Sequence, residues 1–276
     1  MSQAFPSERP IVAFLTDFGV HDGYVGVMKG VVLGIASDAH LIDITHDIAP
    51  QNVSAGAWVL ATSYAYFPAG TVFVCVVDPG VGSSRRSVAL HAGAWYFVGP
   101  DNGLLSNVLD ELPIHAAVEL TNPAYHLAHV SSTFHGRDLF SPVAAHIARG
   151  VALSELGPHV DPRSLLHLPG TPPVYYDQHI DAQVIHIDHF GNVITNIPLR
   201  MTPDLFAHSK VRASFPDQQV TVTKQQRFFA SDATHADQDP FIYGDSSGYV
   251  AVAIRNGNAA STLALGVGAR VIVSFD

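Results

Sequence analysis

The stretch Ile11-Val12-Ala13-Phe14-Leu15 runs without a polar residue into Thr16-Asp17-Phe18-Gly19, a short turn carrying an aspartate and a glycine. Such a run reads as a buried strand, and the glycine after it lets a ligand come close to the backbone. The same device recurs. The apolar run 72–77 leads into Asp78-Pro79-Gly80-Val81-Gly82, 95–98 into Gly99-Pro100-Asp101-Asn102-Gly103, and 184–187 into Asp188-His189-Phe190-Gly191-Asn192. A carboxylate at the carboxyl end of a buried strand is where open α/β sheets hold their ligands. Asp and Gly also form ordinary turns. Four such turns in a chain with only 14% charged residues point beyond turn formation to a repeated binding device.

Working outward, Val25, Met28, Val31, Val32 and Ile35 follow the first strand at helical spacing, with Asp22 near the helix start. Further helices are expected over 53–66 and 138–149, the second closed by Gly150. This alternation predicts a layered α/β domain over 1–168. Leu168-Pro169-Gly170-Thr171-Pro172-Pro173 can continue neither a helix nor a central strand, so 169–180 is expected to be a linker. Beyond it the period changes to two, over 211–215, 220–223, 249–254 and 269–275. The expected fold class is therefore α/β: an N-terminal layered α/β domain followed by a small C-terminal antiparallel β-barrel-like domain over 181–276.

With 14 Lys and Arg against 24 Asp and Glu the net charge is −10, and no basic run occurs, which argues against nucleic acid as a partner. The opening residues 1–10 lack the order of a signal peptide and no apolar stretch is long enough to span a bilayer. No membrane partner and a cytoplasmic location are expected. The single cysteine, Cys75, lies in an apolar run and reads as a small buried hydrophobe.

Two segments gather several reactive types: Asp78-Pro79-Gly80-Val81-Gly82-Ser83-Ser84-Arg85-Arg86 and Ser132-Thr133-Phe134-His135-Gly136-Arg137-Asp138. Each sets a proton carrier beside a glycine. An Asp and a His with an Arg nearby form a recurring arrangement for positioning and polarising water. For His135 the alternative is a core or capping histidine.

Taken in order, these segments join Asp22-Gly23-Tyr24-Val25-Gly26-Val27-Met28-Lys29-Gly30, Asp43-Ile44-Thr45-His46 and Phe190-Gly191-Asn192-Val193-Ile194-Thr195-Asn196. The series resembles the S-adenosyl-L-methionine hydroxide adenosyltransferase family, relatives of the fluorinases and chlorinases, from about residue 11 onward. The resemblance implies a hydrolase that sends water to the ribose C5′ of S-adenosyl-L-methionine (SAM), giving adenosine and L-methionine. SAM is then the substrate, with no cofactor, and the sites lie at the subunit interfaces of a homotrimer. It also assigns residues. Asp78, Arg85 and His135 match the water-positioning trio of the hydrolytic branch, with proton removal by the Asp78/His135 pair and Arg85 stabilising a hydroxide-like nucleophile; the adjoining Arg86 could take the place of Arg85. Asp17 matches the ribose carboxylate, Asp188 and Ser246 hold the methionine ammonium, Asn192 reads the adenine, Phe229 covers it, and Asn258 and Ala259 meet its edge. Asp22, Gln51 and Gly136 complete the candidate substrate contacts, Gln51 standing where halogenating relatives carry an aromatic beside the sugar. Asp245 stands where the family usually has asparagine.

Rival readings come from other classes. The 16 histidines raise a metallohydrolase, with His126/His129, His186/His189 and Asp43/His46 as candidate ligands, but neither His-x-x-His pair comes with the His-Glu-x-x-His helix, so no metal is expected. A neutral thioether leaving group needs no Lewis acid. Asp17-Phe18-Gly19 resembles the kinase motif but no glycine-rich ATP loop precedes it. A SAM-dependent halogenase and a non-catalytic SAM-binding module remain as alternatives, and the module would give the trio no reason to converge.

Overall fold

A computed structural model of the chain describes residues 9–226 and 238–276; Phe229, the candidate adenine cover, lies outside the described residues. The chain divides into two compact units, Met1–Leu168 and Pro169–Asp276.

In the first unit β1 (Ile11–Thr16), α1 (Tyr24–Ile35), β2 (His40–Thr45), α2 (Val53–Ala61) and β3 (Val72–Val76) follow in turn. Then come β4 (Ser87–Ala92), β5 (Trp95–Pro100), α3 (Ser106–Glu111), β6 (Ile114–Glu119), α4 (Ser141–Ala148) and α5 (Leu153–Leu156). The sheet order is β2-β1-β3-β5-β4-β6, with β2, β1, β3 and β5 parallel and β4 antiparallel to both its neighbours. Alternate residues of β1 serve two cores: Val12 and Phe14 pack with Met28 and Val32 of α1 and Val143 of α4, whereas Ala13 and Leu15 pack with Leu60 of α2 and Val108 of α3. Burial on both faces is why β1 and β3 are continuous apolar runs.

The topology opens a crevice. β2 lies on one side of β1 and β3 on the other, so the strand order reverses between β1 and β3, and the crevice outside their carboxyl ends is a topological switch point. Asp17 directly follows β1, and Asp78 follows β3.

The helix expected over 53–66 is α2 followed by a separate 3₁₀ turn, Tyr64–Tyr66, and that expected over 138–149 begins earlier, as a π-helical turn over Gly136–Phe140 that leads into α4. Asp22 does not cap α1, whose N-cap is Gly23.

The second unit is built from β7 (Val174–Tyr175), β8 (His179–Ile187), β9 (Val193–Pro198), β10 (Val211–Phe215), β11 (Val220–Val222), β12 (Lys224–Gln225), β13 (Phe241–Gly244), β14 (Tyr249–Ala253), the short helix α6 (Ala259–Thr262) and β15 (Arg270–Phe275). Its strands run β11-β10-β15-β8-β9-β14-β13-β12, with β7 on β8, and the sheet curls into a nearly closed barrel as β12 and β13 approach β10. Among the described residues all its pairings are antiparallel except β12 with β13. One core fills it, including Ile180, Val184, Phe215, Ile242 and Val273. β7 and the start of β8 lie within 169–180, so that segment carries paired strand as well as connection.

Candidate active site

Asp78 leaves the carboxyl end of β3, and Arg85 lies just before β4 on the returning loop. Arg85 Nε lies 2.9 and 3.0 Å from the two oxygens of Asp78, and Nη2 lies 2.5 Å from Oδ2. The same Nη2 lies 2.8 Å from His135 Nδ1, while Nη1 donates to Ser87 Oγ at 2.6 Å. The guanidinium sits over the Phe140 ring, 5.5 Å from its centroid. Asp78, Arg85 and His135 thus meet around one planar fork, with the Arg85 and Asp78 side chains only 9% and 4% exposed. Arg86 points elsewhere: it pairs with the buried Asp101 and donates to Ser164.

The two loops meet because of one glycine. Gly82 has φ +78°, and a Cβ there would lie 2.3 Å from the Ser132 carbonyl oxygen. His135 stands at the N-terminus of the π-helical turn, a local widening common at functional sites. Gly136 behind it is packed against Met28, Phe134 and Phe18. Phe18, Tyr24 and Phe134 form an aromatic group with centroids 5.1 to 5.9 Å apart.

The geometry fixes protons. A guanidinium only donates, so His135 Nδ1 accepts from Arg85 and the ring is neutral, with hydrogen on Nε2. Burial lowers the His135 pKa, and the Arg85 charge lowers it further, against the opposite pull of Asp78 and Asp138. Asp138 is itself held below the carboxylate range: burial works to raise its pKa, but hydrogen bonds from Arg137 and the Ser131 N–H outweigh that.

Around β1, Asp17 Oδ2 accepts the Gln51 backbone N–H at 2.7 Å, and among the described residues Oδ1 has no donor. Gln51 adopts φ +66°, an unusual backbone for a residue with a Cβ. Asp22 is exposed. In the second unit Asp188 organises the β8–β9 turn: its Oδ1 accepts Phe190 N–H and Asn192 N–H, and its Oδ2 accepts Asn192 Nδ2 at 2.7 Å. Gly191, at φ +83°, lies under Asn258, where a Cβ would come within 2.1 Å of the amide carbon. Asn258 caps α6 through Ser261 N–H, and Ala260 N–H donates to the Gly191 carbonyl, so Asp188, Asn192 and Asn258 form one linked cluster, with Asn192 buried and Ala259 wholly buried behind it. Ser246 is exposed on the β13–β14 turn, where Asp245 Oδ1 accepts the N–H groups of Ser247 and Tyr249. Burial raises the pKa of Asp245, and burial with Asp245 and Asp188 raises that of Tyr243.

Residues 12–157 match the SAM hydroxide adenosyltransferase N-terminal domain, and residues 182–272 match the C-terminal domain of the same family. The chain belongs to the SAM hydroxide adenosyltransferase family. A (R)-S-adenosyl-L-methionine hydrolase of Salinispora arenicola is 42% identical, covering 97% of this chain and 99% of its own. A fluorinase of Nocardia brasiliensis is 32% identical over 68% of this chain and 71% of its own. A crystal structure of an uncharacterized conserved protein from Thermotoga maritima superposes with a TM-score of 0.86 at 34% identity, over 95% of this chain and 99% of that one.

In this adenosyltransferase-family chain the candidates fall into sets, each within one unit: the trio, the Asp17–Gln51 pair, and the Asp188–Asn192–Asn258 cluster with buried Ala259 behind it. Among the described residues no three His, Cys, Asp or Glu side chains gather as a metal-ligand set. No helix among them is long and apolar enough to cross a membrane. Two supports escaped the sequence reading: Ser87, which anchors the Arg85 fork, and Phe140 beneath it. Both lie inside regular elements, where nothing in the local sequence marks them.

Proposed function

We propose that this chain hydrolyses S-adenosyl-L-methionine to adenosine and L-methionine. Water forms the new bond to ribose C5′, the C5′–S bond breaks with its electron pair going to sulfur, and methionine departs as a neutral thioether. The observation that carries the reading is the convergence of Asp78 and His135 on Arg85. Relatives that bear the hydrolase name are 37–42% identical, whereas the fluorinases are 30–32% identical, which favours water over halide as the nucleophile.

The proton arrangement divides the labour. Asp78 keeps an acceptor direction beyond its Arg85 contacts and takes the water proton; neutral His135 offers Nε2–H to the water oxygen. Arg85 stabilises the developing hydroxide character by fixed charge. Proton transfer of this kind contributes a factor of about 10²–10⁴, and in-line orientation supplies about 7–11 kcal/mol of the barrier. Asp17 offers its open oxygen to the ribose hydroxyls, Asp188 and Ser246 take the methionine end, and Asn192 and Asn258, with Ala259 behind them, take the adenine. Asp245 beside Tyr243 adds a second carboxylate to the methionine end, which suits an ammonium.

The reaction as proposed runs in the cytoplasm, in a homotrimer with sites at subunit interfaces. Supporting self-association, the outer face of α1 exposes Tyr24, Val27 and Leu33 beside Gly26, Gly30 and Gly34, where an added Cβ would meet open space.

The test is incubation of the pure protein with SAM in ¹⁸O-labelled water, with and without EDTA, and mass spectrometry of the products. Labelled adenosine at an EDTA-independent rate is expected. Unlabelled adenosine means another bond is cut, EDTA sensitivity restores a metal mechanism, and absence of product leaves a binding module.

A further inference from the structure

Apart from the trio, a second chain of polar side chains stands at the carboxyl edge of the sheet. Lys29 Nζ, on α1, lies 2.6 Å from Asp43 Oδ2, Asp43 Oδ1 lies 2.9 Å from His46 Nε2, and His46 Nδ1 lies 2.8 Å from Thr16 Oγ1. The Asp43–His46 contact is an ion-pair approach, not an aligned hydrogen bond. Hydroxyl, imidazole and carboxylate in this order resemble a nucleophilic triad, but Thr16 is wholly buried and its hydroxyl cannot reach a substrate. It meets the turn around Asp17 instead. Phe18 N–H donates to Thr16 Oγ1 at 3.2 Å, and Gly19 N–H donates to the His46 carbonyl at 2.8 Å. Both sides of Asp17 are thereby tied to His46, and Asp17 itself to Gln51 on the same segment.

Strand register brings this about. β1 and β2 pair Phe14 with Asp43 but Leu15 with Thr45, and the bulge brings His46 level with Thr16. Proton bookkeeping then selects a state. With Phe18 N–H on Oγ1, the Thr16 O–H donates to Nδ1 and Nε2–H faces the Asp43 carboxylate, so each donor has a partner charge or lone pair; a doubly protonated ring would leave the buried hydroxyl hydrogen without an acceptor.

We propose that His46, braced by Asp43 and Lys29, is a positioning residue that fixes the Asp17 turn for the two ribose hydroxyls through Thr16. The inference rests on the reading of Asp17 as the ribose carboxylate. Adenosine titrated calorimetrically into the full chain reads the turn without the chemistry. Thr16→Val removes the hydroxyl at nearly constant shape: adenosine binding weakens about tenfold, and KM for SAM rises in parallel while kcat stays within about twofold. Thr16→Ser restores most of the affinity. A role in stability alone would lower the urea midpoint of Thr16→Val with adenosine affinity intact, and that result overturns the proposal. Should Thr16→Val fail to fold, Asp43→Asn carries the test, since that side chain is 41% exposed; a loss of about threefold is expected, and unchanged affinity again overturns it. A wild-type chain that binds adenosine but leaves SAM intact sinks the proposed reaction and leaves the turn's positioning to be judged by Thr16→Val. A wild-type chain that binds no adenosine overturns the reading of Asp17 as the ribose carboxylate and this proposal with it, and leaves the proposed reaction to the product analysis.

Discussion

Lysine in place of Arg85 would keep a positive charge and lose the fork that reaches Asp78, His135 and Ser87 together. One ammonium cannot hold three partners in those directions. Arg85→Lys is therefore expected to lower kcat on the order of 10²-fold, as loss of a preorganised charge does elsewhere, with adenosine affinity nearly unchanged. Arg86→Lys makes the contrast. Its partners are Asp101 and Ser164, so the change should reduce stability by about 1–3 kcal/mol and leave turnover close to wild type. Steady-state kinetics and urea unfolding of both variants check this, and a kcat loss in Arg86→Lys equal to that in Arg85→Lys would reject the assignment of Arg85. The sequence could not choose between the two arginines because they adjoin on one loop. In the structure Ser164 and Asp101, brought in by the fold, draw Arg86 away from Asp78 and His135, which is the ground for assigning Arg85.

Among the elements, the loop between β3 and β4 and the segment leading into α4 act as one part, joined where Gly82 touches Ser132. Alanine at Gly82 meets two costs, about 1–2 kcal/mol for the left-handed backbone and the clash with the Ser132 oxygen, which pushes Asp78 away from His135. Gly150 supplies the control: its φ is +88°, yet nothing lies within 4 Å of an added Cβ. Both Gly→Ala variants should melt at lower temperature, but only Gly82→Ala should lose turnover, by about 10²-fold for a displacement near 1 Å. Equal turnover in the two variants would show that the loops tolerate separation. The elements themselves were legible where burial is two-sided: β1, β3 and the Met28/Val32 face of α1 follow from apolar spacing alone. β4 and β6 were not. β6 reads Ile114-His115-Ala116-Ala117-Val118-Glu119, with adjacent alanines that suit a helix, and pairing with β4 decides otherwise. β2 is half-exposed along its length, so its apolar residues give no clear alternation, and the register bulge that brings His46 to Thr16 has no sequence mark.

At the scale of the whole molecule, the two units carry their acid-sensitive groups unequally. Burial lowers the pKa of His91, His126, His135 and His146 in the first unit; a neighbouring histidine adds to it at His91 and His126, and at His135 the Arg85 charge does so against the pull of Asp78 and Asp138. In the second unit burial lowers that of His186, against the charges of Asp188 and Asp245, while burial raises that of Asp245. A histidine kept neutral by burial binds fewer protons folded than unfolded between its lowered folded pKa and the ordinary value of about 6.5. Its stability contribution is therefore complete above about 6.5 and is lost as the pH falls through the folded pKa. Asp245 has the opposite sign: with a raised folded pKa, its contribution is lost as the pH rises through the window above 3.8, so acidification there favours the folded second unit. The first unit should thus weaken first on acidification. Both tryptophans, Trp58 and Trp95, lie in that unit, so their fluorescence reports it alone, whereas far-ultraviolet circular dichroism reports both units. Urea titrations at a series of pH values from about 7.5 to 5 should show the fluorescence midpoint constant at the upper end and falling below about 6.5, with the dichroism transition broadening as the two units separate. A fluorescence midpoint that holds or rises from pH about 7 to 5 would mean that the buried histidines of the first unit do not govern its stability.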